Sequence, residues 1–409
     1  DVPAQLPRPD GKPGDATKPV KIYILSGQSN MCGMGNLSGT TNRYAGVYLT
    51  TDPAAPEGPL TVYKVGNYRI ARCTLYLPDG AKTTKPIAGG QLEVPLTGVY
   101  QIHCGSGASS YNVMELDGKQ VYGRKTGADP VIKDITLKAG KRYSFKISGF
   151  KGNPPRFWMQ KTDLLGYGDL EIVTKRDKKF PCLIDDEGKW TVRNDVYFQE
   201  ARIEKKIGGS PLSATSNGGK TVGPELGFGH VMGTWHDEQV LLIKVAQGNR
   251  SLGYEYRPPS SGRKTPPEEW EGKEYNLIVE GVRKTLKNID KVVPGYKGQG
   301  YEIAGFVWWQ GHKDSFSPEF IAEYEKNLVN LINDVRKEFK APKLPAVVAT
   351  VGFGGYNMQD KFVPILKAQL AVGDAKKHPE FAGTVASVDI RDFWREIDES
   401  PKGEDYHYN

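Results

Sequence analysis

Lys21-Ile-Tyr-Ile-Leu-Ser-Gly-Gln-Ser-Asn-Met-Cys-Gly33 is the stretch that decides the reading of this chain. Its apolar first half, closing on Gly27, predicts a buried strand that runs straight into a tight turn. The turn lifts Gln28, Ser29 and Asn30 to the carboxyl edge of a sheet, where open α/β sheets build their sites. Taken alone, Ser29 reads as a turn or helix-capping serine, because hydroxyls after a strand commonly satisfy backbone N–H groups. What sets it apart lies far downstream: Trp309-Gln310-Gly311-x-x-Asp314, and His407 near the carboxyl end.

The rest of the sequence bounds the kind of protein that carries these residues. At 409 residues the chain exceeds the usual size of one domain, and two domains are expected. Hydrophobic residues make up 38% and charged residues 25%, the balance of a soluble globular protein. No apolar run approaches the ~18 to 20 residues of a membrane span. The net charge of +7 is spread along the chain rather than gathered on one arm, which argues against nucleic acid as a partner and leaves a mild attraction for anionic glycans. Four cysteines, Cys32, Cys73, Cys104 and Cys182, form no C-x-x-C pair and no His/Cys spacing suited to zinc, so a structural metal is not expected. Cys73 with Cys104 and Cys32 with Cys182 could pair in an exported protein; buried thiols are an equal alternative. Residues 1–19 are polar and rich in Pro and Gly, a flexible lead without a signal sequence, as in the mature form of a secreted or periplasmic protein or in one never exported.

Downstream, strand-like runs at 239–246, 303–308, 345–350 and 385–390 alternate with residues at helical spacing. Tyr275, Ile278, Val282, Leu286 and Ile289 form one such stripe; Phe320, Tyr324, Leu328, Leu331, Ile332, Val335 and Phe339 form another. Strand, helix, strand, helix predicts an α/β fold with a parallel sheet covered on both faces. Residues 44–168 read differently. Tyr100, Ile102 and Cys104 alternate with polar neighbours, residues 113–116 and 120–122 flank a hairpin-type Asp117-Gly118, and Tyr143, Phe145 and Ile147 alternate again. Short strands at this spacing predict an antiparallel β-sandwich. Residues 1–43 and 169–409 are therefore expected to build one α/β domain interrupted by an insert at 44–168.

Gly-Gln-Ser-Asn-Met-x-Gly (Gly27 to Gly33), Trp309-Gln310-Gly311-x-x-Asp314 and a late histidine occur in an order that resembles the SGNH-hydrolase superfamily, and Gly223-Pro224-Glu225 matches a signature of one branch of it. Within it the chain resembles the sialate O-acetylesterase and carbohydrate esterase family six branch, over roughly residues 19–40 and 170–409. The insert resembles PA14-like or galactose-binding-like jelly rolls. The resemblance implies a serine esterase without metal or cofactor, with Ser29 as nucleophile and His407 as general base. Glu404, three residues before His407, and Asp405, one residue nearer, are alternatives for the carboxylate that orients the imidazole; a main-chain carbonyl is a third.

For the oxyanion, the resemblance points to Gly248 in Lys244-Val-Ala-Gln-Gly-Asn-Arg-Ser-Leu252 and to the side-chain amide of Gln310. Asn249 stands where the family has a second glycine, and His312 where it has Glu; His312 reads as a second base, a substrate contact or a hydrogen-bonded loop histidine. Gln28, Asn30, Glu225 and Arg250 complete the expected substrate side, and Asp314 reads as a loop brace. The implied substrate is acetylated carbohydrate, polysaccharide ahead of sialic acid because the insert suits a polymer. The rival is a catalytically impaired carbohydrate-binding protein; a small-ester esterase is a third reading. Oligomeric state is not legible.

Overall fold

The computed structural model describes residues 5–38, 47–49, 63–65, 75–76, 82–83, 89–94, 97–105, 112–125, 127–149, 156–161, 168–202, 208–263, 268–395 and 407–408. Two compact units emerge, one comprising Asp1–Ser38, Leu170–Arg395 and Tyr406–Tyr408, the other including Gly39–Asp169.

The first unit is built on a seven-stranded sheet. Its strands in chain order are β1 (Val20–Gly27), β2 (Arg193–Glu200), β3 (Ser210–Leu212), β4 (Val240–Ala246), β5 (Tyr301–Trp309), β6 (Ala346–Ala349) and β7 (Val385–Val388). In space the order is β3-β2-β4-β1-β5-β6-β7. All neighbours run parallel except β3, an antiparallel edge strand on β2. β1 lies at the centre, so the residues after Gly27 emerge at the middle of the sheet's carboxyl edge.

Helices cover both faces: α1 (Ser29–Cys32), α2 (Pro224–Trp235), α3 (Lys273–Lys287), α4 (Pro318–Glu338) and α5 (Val363–Val372) are the principal ones. The period-2 alternation of β1 divides its side chains between two cores. Val20, Ile22 and Ile24 pack with Tyr275, Ile278 and Val282 of α3 and Tyr324, Leu328 and Leu331 of α4, whereas Leu25 packs with Leu226 of α2 and with Met31. Both helical stripes expected from spacing are thus core faces. α4 starts where its sequence says it should: the Ser317 side chain accepts from Phe320 N, and Pro318 occupies the first helical turn.

Strands β2 and β3 have no counterpart among the expected runs. Cys32 and Cys182 both belong to the core beneath α2 and carry separate thiols, so the pairing considered for them is not formed. Cys73 lies outside the described residues, as does the Cys104 side chain.

In the second unit the described strands pair antiparallel throughout. Nine form one sheet, which includes Gly89–Glu93, Asn112–Leu116, Lys119–Arg124 and Arg142–Ser148; Gly98–Gly105, Asp134–Leu137 and Arg156–Lys161 form another. Leu92, Met114 and Phe145 of the first share one apolar core with Tyr100, Ile102 and Met159 of the second. Leu116 pairs with Lys119 across Asp117 and Gly118, whose φ values of 46° and 75° suit a two-residue hairpin turn.

Candidate active site

β1 ends at Gly27 with a φ of 148°, and a Cβ there would lie 2.0 Å from the Trp309 carbonyl oxygen of β5. Only glycine fits that approach. The chain then turns at once: Gln28 N donates to Trp309 O and Cys32 N to Gln28 O, each at 3.0 Å, closing the four-residue α1. Ser29 is its first residue, half-buried between the buried Gln28 and Asn30.

Gly248, two residues beyond β4, lies against the serine; a Cβ on it would sit 3.7 Å from Ser29 Cβ. The strand ends below them are tied together. Gly27 O accepts from Gln247 N at 3.1 Å and from the hydroxyl of the fully buried Tyr256 at 2.6 Å. Asn249 takes the left-handed conformation, φ 56°, that this turn requires, one that Asn adopts more readily than most residues.

The late histidine arrives through its neighbour. Tyr408 N donates to Asn30 Oδ1 at 3.1 Å, its ring packs 5.5 Å from Trp309 and 5.4 Å from Trp394, and its hydroxyl donates to Ile390 O at 3.1 Å. The peptide that follows His407 is therefore fastened to the residue next to Ser29. Glu404 and Asp405 lie outside the described residues.

His312 sits in an aromatic cage, stacked 5.5 Å from Phe362 and edge-on to Phe353 and Phe316 at 5.1 and 5.2 Å. Burial, followed by Lys361, His407 and Lys313, pushes its pKa down to about 4, so the imidazole is neutral at neutral pH.

Several motif residues expected to face substrate turn inward instead. Gln28 is buried, and its Oε1 accepts from Gly311 N at 3.1 Å and Lys313 N at 3.4 Å. Gln310 was expected to offer its amide to the oxyanion. Both protons of its Nε2 are engaged, by Arg250 O at 2.9 Å and Asp314 Oδ2 at 2.5 Å, while Oε1 accepts from the Tyr324 hydroxyl. Asp314, fully buried, also accepts from Leu252 N and Gly253 N at 3.0 and 2.8 Å, as a brace of that loop would. Burial pushes its pKa up to about 6 against these hydrogen bonds.

Glu225 is likewise internal: its carboxylate pairs with Lys244 Nζ at 3.0 Å and accepts from Gly223 N. Arg250 leans toward Glu274, 3.3 Å away, with its guanidinium over the Trp270 ring. Among the described residues no three His, Cys, Asp or Glu side chains converge as a metal site would require, and no helix is long and apolar enough to cross a membrane.

Lys244 and Asn217, which hold α1 from beneath, escaped the sequence reading. Lys244 opens the Lys244 to Leu252 segment quoted for Gly248 but was given no role there; a lysine inside an otherwise apolar strand, Val240–Ala246, where an unpaired charge would be costly, was a further signal.

Solved structures similar to this chain include a protein from Arabidopsis thaliana (15% identity, covering 53% of this chain and 83% of that one, TM-score 0.37). A carbohydrate acetylesterase from Xanthomonas citri is similar at 12% identity, with coverage of 75% and 65% and a TM-score of 0.36. The protein NanS is similar at 11% identity, with coverage of 92% and 79% and a TM-score of 0.31. No curated protein matches the sequence significantly. The family model described as carbohydrate esterase, sialic acid-specific acetylesterase matches residues 186–390, half of the chain, from just before β2 to just past β7. The chain belongs to that family and is a carboxylic ester hydrolase, an acetylesterase.

Proposed function

We propose that the enzyme removes acetyl groups from acetylated polysaccharide or oligosaccharide through an acetyl-serine intermediate. Ser29 Oγ attacks the ester carbonyl carbon while His407 takes its proton. The oxyanion that forms is held by the backbone N–H groups of Ser29 and Gly248. His407 then protonates the departing sugar oxygen, and in the second half it activates the water that releases acetate and restores Ser29.

The observation that carries this reading is the convergence on Ser29 of Gly248, where an added Cβ would touch the serine, and of the Asn30 to Tyr408 hydrogen bond that fastens the chain next to His407. Glu404 or Asp405 supplies the carboxylate that orients His407. Gln310, with its amide engaged, acts in this reading as the brace of the 310–314 loop. Neutral His312 lines the site as an acceptor or a packing surface for substrate.

Carbohydrate suits the site's rim. Phe316, Tyr356 and Phe393 follow β5, β6 and β7 and stand well exposed, offering flat apolar rings on which the C–H faces of sugars can pack. We read residues 44–168 as an inserted β-sandwich that engages the polymer, and a polymeric substrate fits an exported enzyme.

The test is acetate release from acetylated xylan, pectin, glucomannan, algal polysaccharide and O-acetyl sialic acid by the native protein and by Ser29→Ala. Loss of the nucleophile should cost about 10⁴- to 10⁶-fold in kcat. Release that persists unchanged in Ser29→Ala would remove the serine mechanism.

A further inference from the structure

Beneath Ser29 lies a buried polar cluster that touches none of the reacting groups. Lys244 Nζ, fully buried, has three protons and three acceptors: Cys32 O at 3.1 Å, Asn217 Oδ1 at 3.1 Å and Glu225 Oε2 at 3.0 Å. Asn217 Nδ2 donates to the same Cys32 carbonyl at 3.0 Å. Cys32 closes α1, so its carbonyl is the far end of the turn whose first residue is Ser29. The backbone is shaped to admit these contacts. Gly33 takes φ 96°, and a Cβ on it would lie 2.4 Å from Asn217 Nδ2.

We propose that Lys244, Asn217 and Glu225 form a positioning clamp that sets Ser29 against Gly248 by holding the Cys32 carbonyl. The inference rests on the reading of Ser29 as nucleophile.

Two features give the clamp this role rather than a general one in folding. The first is connectivity. Lys244 belongs to β4, where it pairs with Leu25 of β1, and Gly248 follows four residues later on the same chain. One side chain thus links the nucleophile's turn to the strand that presents the second oxyanion N–H. The second is economy of partners. A lysine that needed only a counter-ion would be satisfied by Glu225, yet two of its protons and one amide proton of Asn217 go to fixing local backbone and its support. The Ser29 turn is only four residues long and has no helical body of its own to hold it rigid. At the other end of the turn, Gln28 plays the matching part through Trp309 O, Gly311 N and Lys313 N. With both ends fastened, the attacking hydroxyl and the oxyanion donors keep one relative position, and about 1 Å of misplacement is enough to cost about 100-fold in rate.

The test separates position from stability. Lys244→Met/Glu225→Leu removes both charges at similar volume, a change that buried pairs often tolerate without loss of stability. We measure thermal midpoint, the rate at which a fluorophosphonate labels Ser29, and kcat and KM for p-nitrophenyl acetate. The expected result is a midpoint near that of the native protein, with labelling and kcat reduced about 10- to 100-fold and KM unchanged. A folded double variant that labels at the native rate overturns the clamp. Asn217→Ala keeps the ion pair and deletes one donor to Cys32 O; it should slow labelling by about threefold to tenfold. A native rate there counts equally against the proposal. Absence of Ser29 labelling in the native protein would instead overturn the nucleophile reading, and the clamp with it.

Discussion

Glu225 and Asp314 are both buried carboxylates that support the backbone around Ser29, but their surroundings differ. Glu225 faces a cation, Lys244, and together they hold the Cys32 end of α1. Asp314 has only neutral donors, the amides of Leu252 and Gly253 and the side chain of Gln310, and its pKa is pushed up to about 6. An ion pair answers the cost of burying charge with opposite charge; hydrogen bonds from neutral groups answer only part of it. The turn beneath the serine thus rests on a carboxylate paired with a cation, whereas the loop beside it carries one that titrates within a working pH range.

The largest effect expected from breaking this contrast is on stability. Glu225→Leu alone leaves Lys244 charged, buried and without its carboxylate, a loss of about 3–5 kcal/mol. Urea denaturation of the variant measures it. A loss below about 1 kcal/mol would mean that Asn217 Oδ1 and Cys32 O suffice for the ammonium and that the two carboxylates are not differently supported after all.

A second effect lies in pH. His230 is almost wholly buried, neither ring nitrogen finds a hydrogen-bond partner among the described residues, and burial pushes its pKa down to about 4, as it does for His312. Folded values below the unfolded value mean that both histidines favour folding above about pH 6.5, and that this contribution is lost as pH falls toward 4. Asp314 has the opposite sign. Its folded pKa lies above the unfolded one, so its contribution is full below about pH 3.8 and disappears as pH rises through 6. Between pH 4 and 6 the aspartate offsets the histidines. Asp314→Asn should therefore steepen the loss of stability on acidification, by up to about 3 kcal/mol between pH 7 and pH 4 relative to the native protein. Parallel stability profiles for the two proteins would show that the carboxylate titrates like an ordinary one.

How much of this was legible in the sequence depends on whether a residue's partner is local. The strand ending at Gly27, the stripes of α3 and α4 and the Asp117-Gly118 hairpin could be read because period and turn chemistry are short-range signals. β2 could not. In Arg193–Glu200 only Val196, Tyr197 and Phe198 look apolar, and the buried Arg193 is tolerated because it is satisfied from outside the strand, by His230 O and Thr234 Oγ1, as well as by Asp195. The same limit applies at the site. Gln28, Glu225 and Gln310 sit in motifs beside the nucleophile, and a polar side chain there has the same letter whether it meets substrate or a backbone N–H contributed from far along the chain. His312 could be noted as a departure from the family's Glu, but its cage is made by Phe353 and Phe362, about 40 and 50 residues further on.

Gln28 joins the two supported regions, and the smallest predicted effect tests whether they act together. Its backbone begins the Ser29 turn, while its side chain receives Gly311 N and Lys313 N from the loop that Asp314 braces. Gln28→Ala leaves those two amides without their acceptor, at a cost of about 1–2 kcal/mol. If the turn and the loop are independent, the effect ends there, and the pH dependence of kcat matches that of the native enzyme. If they are coupled, loosening the loop lets Asp314 meet more water, its pKa moves back toward the ordinary carboxylate range, and the part of the activity profile that follows it moves to lower pH. The comparison of kcat profiles between pH 4 and 8 for the two proteins decides between a site held at two separate points and one held as a single frame.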